Sequence, residues 1–381
     1  MDDVFRSLRR AEQRRWAREY LWALIHVSGK KTPRRLGRAP ALPSSAVHGL
    51  DQFINASPWD WRPVRRRLAR RAAAAATPLA WTVAELIIPK TGEHSVGVHR
   101  RVDGTTGRTV NCQRALGLFL ATDTHCLPLD WSLLLSGPWE HDAPRRRRAR
   151  VPETETARPA GAHVVDHAAG ALAHAPDVPW VLDLTRYEDA TGVLAGLARL
   201  GREVVCEVGP GQAVLVGQHL PAVSTVGALM AARHARQAHL MAARNTEGRS
   251  RAVPVRTYQG TVRLPHPGPG PGAEGDARTY RVLEQPDPNG RGTRYWITTL
   301  VDRRVEEVLG LGRVRTAART AVGTLRERYG VLDFEGRSFP GWHHHMTMAS
   351  AAHVYEHLYG ASRATPGAPA PPPAELTGVA G

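Results

Sequence analysis

The run Trp81-Thr82-Val83-Ala84-Glu85-Leu86-Ile87-Ile88-Pro89 decides how this chain folds. Its near-continuous apolar character predicts a buried strand. Pro89 has no N–H to give to a ladder and predicts the strand's end. A turn at Thr91-Gly92-Glu93-His94 leads into a second strand over residues 95–101, and Asp103-Gly104 with Thr106-Gly107 supplies another turn. A third strand follows over residues 109–112 and 115–121. Three strands joined in this way predict a meander that founds a mixed sheet, with one carboxylate, Glu85, in its first strand.

Working outward toward the C-terminus, residues 127–136 extend the sheet edge or lead into a loop, and residues 138–142 are loop-like. Arg145-Arg146-Arg147-Arg148-Ala149-Arg150 is the densest cationic run, either an exposed loop or a clamp on a nucleic-acid backbone. Residues 154–173 read as a helix. Pro179-Trp180-Val181-Leu182-Asp183 is a short strand ending in a carboxylate. A helix over 189–200 closes at Gly201, and residues 203–208 form another strand. Strand, helix, strand predicts a right-handed crossover and parallel pairing. Residues 210–294 form a β-rich insertion, with alternation at 253–258, 260–264 and 279–283 and a proline–glycine loop at 265–275; the chain returns to the main sheet near Tyr295. Helices are predicted over 303–309, 314–329 (with Gly330 as the stop) and 346–359. The Pro/Ala/Gly-rich end, residues 361–381, reads as a disordered tail.

Toward the N-terminus the chain is helical. A helix over 6–26 places Leu8, Trp16, Tyr20, Leu21 and Leu24 at helical spacing and carries Arg14, Arg15 and Arg18. Gly29-Lys30-Lys31-Thr32-Pro33 breaks it, and a second helix covers 46–55. Ser57-Pro58 reads as a cap with proline in the first turn, opening a third helix over 59–76 that carries Arg65, Arg66 and Arg67. Residues 1–76 are therefore expected to be a small helical unit with a cationic rim.

The 381-residue chain is long enough for two or three cores and has a net charge of +16. Lysine occurs only at Lys30, Lys31 and Lys90, and the 36 glycines and 29 prolines fit a GC-rich genome. Codon bias explains arginine over lysine but not the excess of cations over carboxylates, so a polyanionic partner is expected. No apolar run reaches the roughly 18 residues that a membrane span needs. The three cysteines, Cys112, Cys126 and Cys206, are scattered and odd in number, which fits a reducing cytoplasm and neither a disulfide framework nor a zinc site. His343-His344-His345 cannot all ligate one ion, because adjacent helical residues point in different directions; packing or phosphate contact is the expected role.

Several strings carry a family resemblance. They are Gln13-Arg14-Arg15-Trp16-Ala17-Arg18-Glu19-Tyr20-Leu21, Ser57-Pro58-Trp59-Asp60-Trp61, Lys90 with the residues up to Val98, Asn111-Cys112-Gln113, Trp139 with Arg145 to Arg148 and Val151-Pro152-Glu153, and Phe334 with the residues up to His345. In these the chain resembles bacterial insertion-sequence transposases of the DDE type. The resemblance implies an α/β fold: a ribonuclease-H-like mixed sheet flanked by helices, in two parts (77–209 and 295–360), with an N-terminal all-helical DNA-binding domain (1–76) and the β-rich insertion (210–294). It also implies two divalent metals, Mg2+ or Mn2+, held by three carboxylates for in-line phosphoryl transfer. The implied partner is double-stranded DNA, a homodimer is compatible, no membrane is involved, and the expected location is cytoplasmic, at the nucleoid.

The chain departs from the family pattern where the metals would bind. The family's first strand normally ends in Asp-Asp-Thr-Gly, and this chain has Ala84-Glu85-Leu86-Ile87 there. Glu85 is the stand-in for the first catalytic carboxylate and Asp183 matches the second, so these two are the metal ligands if the site is active. Counting back from Gly330 puts Arg319 at the third position, with Glu306, Glu307 and Glu327 as the nearby acids. A guanidinium has only donors and stays protonated, so it cannot ligate a metal. Arg319 is therefore expected to lie near Asp183 and compensate its charge. Two readings follow: a DNA-binding transposase descendant with impaired chemistry, or an active DDE transposase working through Glu85 and Asp183. An unrelated metal hydrolase using His343 to His345 is a remote third. Under the first two, the DNA contacts are expected from Arg14, Arg15, Arg18, Arg65, Arg66, Arg67, Arg145, Arg146, Arg147, Arg148, Arg337 and His343.

Overall fold

A computed structural model describes residues 2–102, 107–171, 176–217, 221–232, 236–244, 250–265, 278–287, 290 and 292–360. The turn expected at 103–106, the proline–glycine loop beyond residue 265 and the tail at 361–381 lie outside the described residues.

The N-terminal helices are α1 (Asp2–Phe5), α2 (Ala11–His26), α3 (Pro33–Leu36), α4 (Ala46–Asn55) and α5 (Trp61–Ala75). The helix expected over 6–26 begins only at Ala11, because the chain turns after α1. The start of α5 also differs from expectation. Asp60, not Ser57, caps it, with its side chain accepting from the Arg62 N–H at 3.0 Å. The Ser57 hydroxyl is engaged by Gln13 Nε2 at 3.0 Å instead.

The chain continues through β1 (Pro78–Pro89), β2 (His99–Val102), β3 (Thr109–Thr122), β4 (Cys126–Leu134), α6 (Pro138–His141), α7 (Ala143–Arg148), α8 (Ala160–Ala171), β5 (Trp180–Asp183), α9 (Ala190–Arg199) and β6 (Val204–Val208). Residues 126–134 thus form a full strand, and the arginine run 145–148 is a short helix, not a loop. Then come β7 (Ala213–Val216), β8 (Ala222–Thr225), α10 (Val226–Ala231), β9 (Arg236–Arg244), β10 (Ser250–Tyr258), β11 (Val262–Arg263), β12 (Arg281–Pro286) and β13 (Thr293–Thr298). The chain closes with α11 (Val305–Leu311), α12 (Arg313–Arg328) and α13 (Phe339–Tyr359).

The strands form one large mixed sheet in the order β2-β3-β1-β5-β6-β13-β12-β10-β9, with β4 also on β3. A small second sheet has the order β11-β7-β8. Within the large sheet β1 runs antiparallel to β3 and parallel to β5, β5 runs parallel to β6, and β13 returns antiparallel to β6. The α9 crossover joins the parallel pair β5 and β6, as the strand–helix–strand pattern predicts.

Register assigns the faces. Trp81 pairs with Trp180, so Ala84 comes level with Asp183. Side chains alternate along a strand, so Trp81 and Glu85 share one face while Ala84 and Asp183 share the other. Glu85 pairs with Leu116, which pairs with Ser132; α8 covers this face, with His167 Nε2 3.2 Å from Ser132 Oγ. Ala84 pairs with Gly117, which pairs with Trp131; α13 covers that face, where Trp131 Nε1 donates to Ser350 Oγ at 2.8 Å.

Nearly all of α13 from Phe339 to Val354 is buried. Ser338 caps it, with Pro340 in its first turn, so it begins seven residues before the position expected for it. Because the helix is enclosed, each of its three adjacent histidines meets a different neighbour. The His343 ring stacks on Trp61 at 4.3 Å and the His344 ring on Trp59 at 3.9 Å, while His345 Nε2 reaches the Gly330 carbonyl at 2.8 Å. With His345 Nδ1 3.3 Å from the Tyr20 hydroxyl and His344 Nδ1 2.9 Å from the Ile54 carbonyl, the three histidines tie α2, α4 and α5 to α13.

Candidate functional site

Asp183 is the last residue of β5. Its Oδ1 accepts the Thr185 hydroxyl at 2.6 Å and the Thr185 N–H at 3.2 Å, a local turn that fixes the carboxylate. Its Oδ2 lies 3.1 Å from Arg319 Nη2 and 3.5 Å from Arg315 Nη1. Arg315 and Arg319 are four apart on α12 and so project from one face of it. Strand pairing sets Glu207 beside Asp183. Arg315 also pairs with Glu207, and Arg294 of β13 holds the same carboxylate through Nε at 3.0 Å. The Arg315 and Arg294 guanidiniums both lie over the Trp296 ring, at 4.8 and 4.9 Å.

The result is a connected group of two carboxylates and three guanidiniums. Burial works to raise the Asp183 carboxyl. The Thr185 hydroxyl, Arg315, the Thr185 amide and Arg319 outweigh it and hold the group below the ordinary aspartate range. Burial also draws the Arg315 guanidinium down, against the pull of Glu207 and Asp183.

Glu85 stands apart from this group. Its Oε1 pairs with Arg114 Nε at 2.5 Å and lies 3.7 Å from Arg101 Nη1, on the face opposite Asp183. The position level with Asp183 is Ala84, which has no donor atom. A cleft of about 910 Å3 runs past both regions and is lined by Glu85, Arg114, Asp183, Tyr187, Arg315 and Arg319 among others. Of the acids near the third position, Glu307 pairs with Arg304 at 2.8 Å, Glu306 is an exposed residue of α11, and Glu327 is exposed on α12.

A pair of divalent ions needs several converging oxygen ligands. Among the described residues no group of three or more His, Cys, Asp or Glu side chains is arranged to hold a metal ion. Asp183 is met by two guanidiniums. The residues present do not fit the metal pair.

The cationic candidates divide by burial. Arg65 is 4% exposed and fully engaged: Nε donates to Thr347 Oγ1 at 2.7 Å, and Nη1 to Asp130 at 2.6 Å and to the Trp131 carbonyl at 2.9 Å. His343 is 5% exposed, and burial holds its imidazole well below the usual range, so it stays neutral. Neither can reach a phosphate, which corrects the expectation for both. Arg14 donates to the Leu8 and Arg9 carbonyls, Arg15 pairs with Glu19 at 2.8 Å, and Arg67 lies 3.5 Å from Asp3. Arg145 donates to the Glu93 carbonyl at 3.0 Å, and Arg146 to the Trp139 carbonyl at 2.7 Å. Arg18 is exposed. Arg66, Arg147, Arg148 and Arg337 are exposed with no side-chain partner among the described residues.

Glu207, Arg294 and Arg315 were not among the site residues expected from sequence. A signal existed for Arg315, one helical turn before Arg319, and for Glu207, at the matching end of the parallel strand next to Asp183. Arg294 had none, since its role depends on how β13 pairs with β6.

A large mixed sheet flanked by helices, with an acid-bearing strand end opening into a cleft of mixed charge, is consistent with a nuclease of the DDE type. Residues 3–262 match the family described as DDE superfamily endonuclease, and the chain belongs to that family. The match includes Asp183 and Glu207 and ends before Arg294, Arg315 and Arg319. No curated protein matches the chain. Enzymes of this family generally use divalent metals, which sets the family chemistry against the residues found here.

Proposed function

We propose that this chain is a DNA-binding, transposase-like member of its family whose site has lost two-metal phosphoryl transfer. One observation carries the reading: Arg319 and Arg315 stand on Asp183, at the place where a third carboxylate and cations would be needed. An arginine there neutralises the aspartate permanently, whereas a metal would do so only when bound. Ala84 at the level of Asp183, and Glu85 on the opposite face with Arg114, support the same conclusion. The strand order β4-β3-β1-β5-β6, in which β3 alone runs against the others, is that expected of a ribonuclease-H-like core. The net charge of +16 and the exposed Arg66, Arg147, Arg148 and Arg337 support a double-stranded DNA partner held by its backbone.

The test is a nicking assay on supercoiled DNA with Mg2+ or Mn2+, run beside binding to duplex DNA over a salt series. The reading expects binding that weakens linearly in log–log form with salt, and no nicking. Metal-dependent nicking abolished by Asp183→Asn would refute the loss of chemistry; salt-insensitive or absent binding would refute the DNA partner.

A further inference from the structure

Beside the Asp183 cleft, sharing Arg158 and Asp166 with it, lies a second cleft of about 350 Å3, lined by Trp61, Trp81, Leu129, Ser132, His167 and Phe339 among others. Asp130 and Ser132 are two apart on β4 and so face the same way, toward α8. Ser132 is half-buried, and its Oγ is 3.2 Å from His167 Nε2. The other ring nitrogen of His167, Nδ1, is 3.8 Å from Asp130 Oδ2. Asp130 is itself held through its other oxygen: Oδ1 takes Arg65 Nη1 at 2.6 Å and the Trp131 N–H at 2.8 Å, which leaves Oδ2 for the imidazole. His163, one turn before His167 on α8, is 5% exposed, lines the same cleft, and has an Nε2 with no partner.

We propose that Ser132, His167 and Asp130 form an acyl-transfer site that cleaves small neutral esters, a further activity independent of the nucleic-acid reading. The arrangement has the parts that hydroxyl nucleophiles need. The base is within hydrogen-bond reach of the hydroxyl, and a carboxylate faces the base's far nitrogen; such contacts are often loose before substrate binds. Burial lowers His167, while Asp130 and the Leu116 main chain oppose that fall, so the ring is neutral and free to accept a proton.

The step balances without another reagent. Ser132 Oγ bonds to the ester carbonyl carbon as its proton passes to His167 Nε2. The ester C–O bond then breaks, and the departing alcohol takes that proton. Water, deprotonated by His167, releases the carboxylic acid and restores the serine hydroxyl. The aromatic walls and the small volume suit a short acyl group. Two rim arginines are matched, Arg158 with Asp166 and Arg62 with Glu155 at 3.7 Å, while Arg66 at the same rim has no side-chain partner among the described residues.

The test is labelling of the full-length chain by a fluorophosphonate probe, with the adduct mapped by peptide mass spectrometry. The proposal expects one adduct, on Ser132, whose formation is slowed by p-nitrophenyl butyrate as a competing substrate. His167→Asn should slow labelling by at least about a hundredfold, with the thermal transition checked to exclude unfolding. Wild-type protein that stays unlabelled, or labels elsewhere, would overturn it, and this readout depends on no variant. Labelling that is unchanged in folded His167→Asn protein would also overturn it.

Discussion

At the scale of single residues, Asp183 and Arg319 carry the account. Their meeting was readable because both positions are tied to punctuation: Asp183 ends a short strand, and Arg319 is counted back from the Gly330 stop. Removing the acid should leave two guanidiniums facing each other. Asp183→Asn is expected to cost about 1–3 kcal/mol at neutral pH, measured by urea denaturation. Adding Arg319→Ala to Asp183→Asn should then restore part of that loss. The placement of Glu85 was not readable. Faces alternate with a period of two, and a shift of one residue in register exchanges them. Only the pairing of Trp81 with Trp180 shows that Ala84, not Glu85, shares a face with Asp183. His345 gives a pH prediction. Burial pushes its imidazole down to about 4, against the pull of the Gly330 carbonyl, while the unfolded chain protonates near 6.5. The folded state is therefore fully favoured above about pH 6.5 and loses stability as pH falls toward 4, by up to about 3 kcal/mol from this residue. Denaturation at pH 7 and pH 5 should show about 2 kcal/mol of that loss, and His345→Gln should reduce the difference.

At the scale of elements, α5, α7 and α12 differ in what their arginines do. On α5 the buried positions are Trp61, Val64, Arg65, Leu68 and Ala72, an apolar stripe with one arginine inside it. That spacing was present in the sequence; treating every arginine as a rim residue obscured it. Arg65→Met is expected to cost about 1–3 kcal/mol, because it leaves the buried Thr347 hydroxyl and the Trp131 and His343 carbonyls without their donor. Arg147 and Arg148 on α7 are exposed and unpaired among the described residues, so replacing both with alanine should leave stability unchanged. It should also make the slope of log affinity against log salt shallower by about 2. The end of α12 was legible for a physical reason. Gly330 has φ 64°, and a Cβ there would come within 2.4 Å of Lys31 Cβ. Gly330→Ala should therefore destabilise by at least about 1 kcal/mol in the same denaturation assay.

At the scale of the whole molecule, the central strands β1, β3, β5 and β6 were legible because buried strands read as apolar runs bounded by turn residues. The reach of the sheet was not. β9 with β10 and β12 with β13 are local pairs, but they join the sheet through β13 on β6 and β10 on β12, between residues farther apart in sequence. The enclosure of α13, which makes three histidines into packing residues, likewise depends on long-range contacts. What the fold preserves is a scaffold able to bring a strand-end acid and a helix together. What it lacks at that point is a third carboxylate, and the two it has, Asp183 and Glu207, are both held by arginines. The most direct measurement is Mn2+ binding followed by electron paramagnetic resonance, in the wild type and in Ala84→Asp/Arg319→Glu. The account predicts no binding by the wild type at millimolar Mn2+ and measurable binding by the double variant. Binding by the wild type that Asp183→Asn abolishes would contradict it.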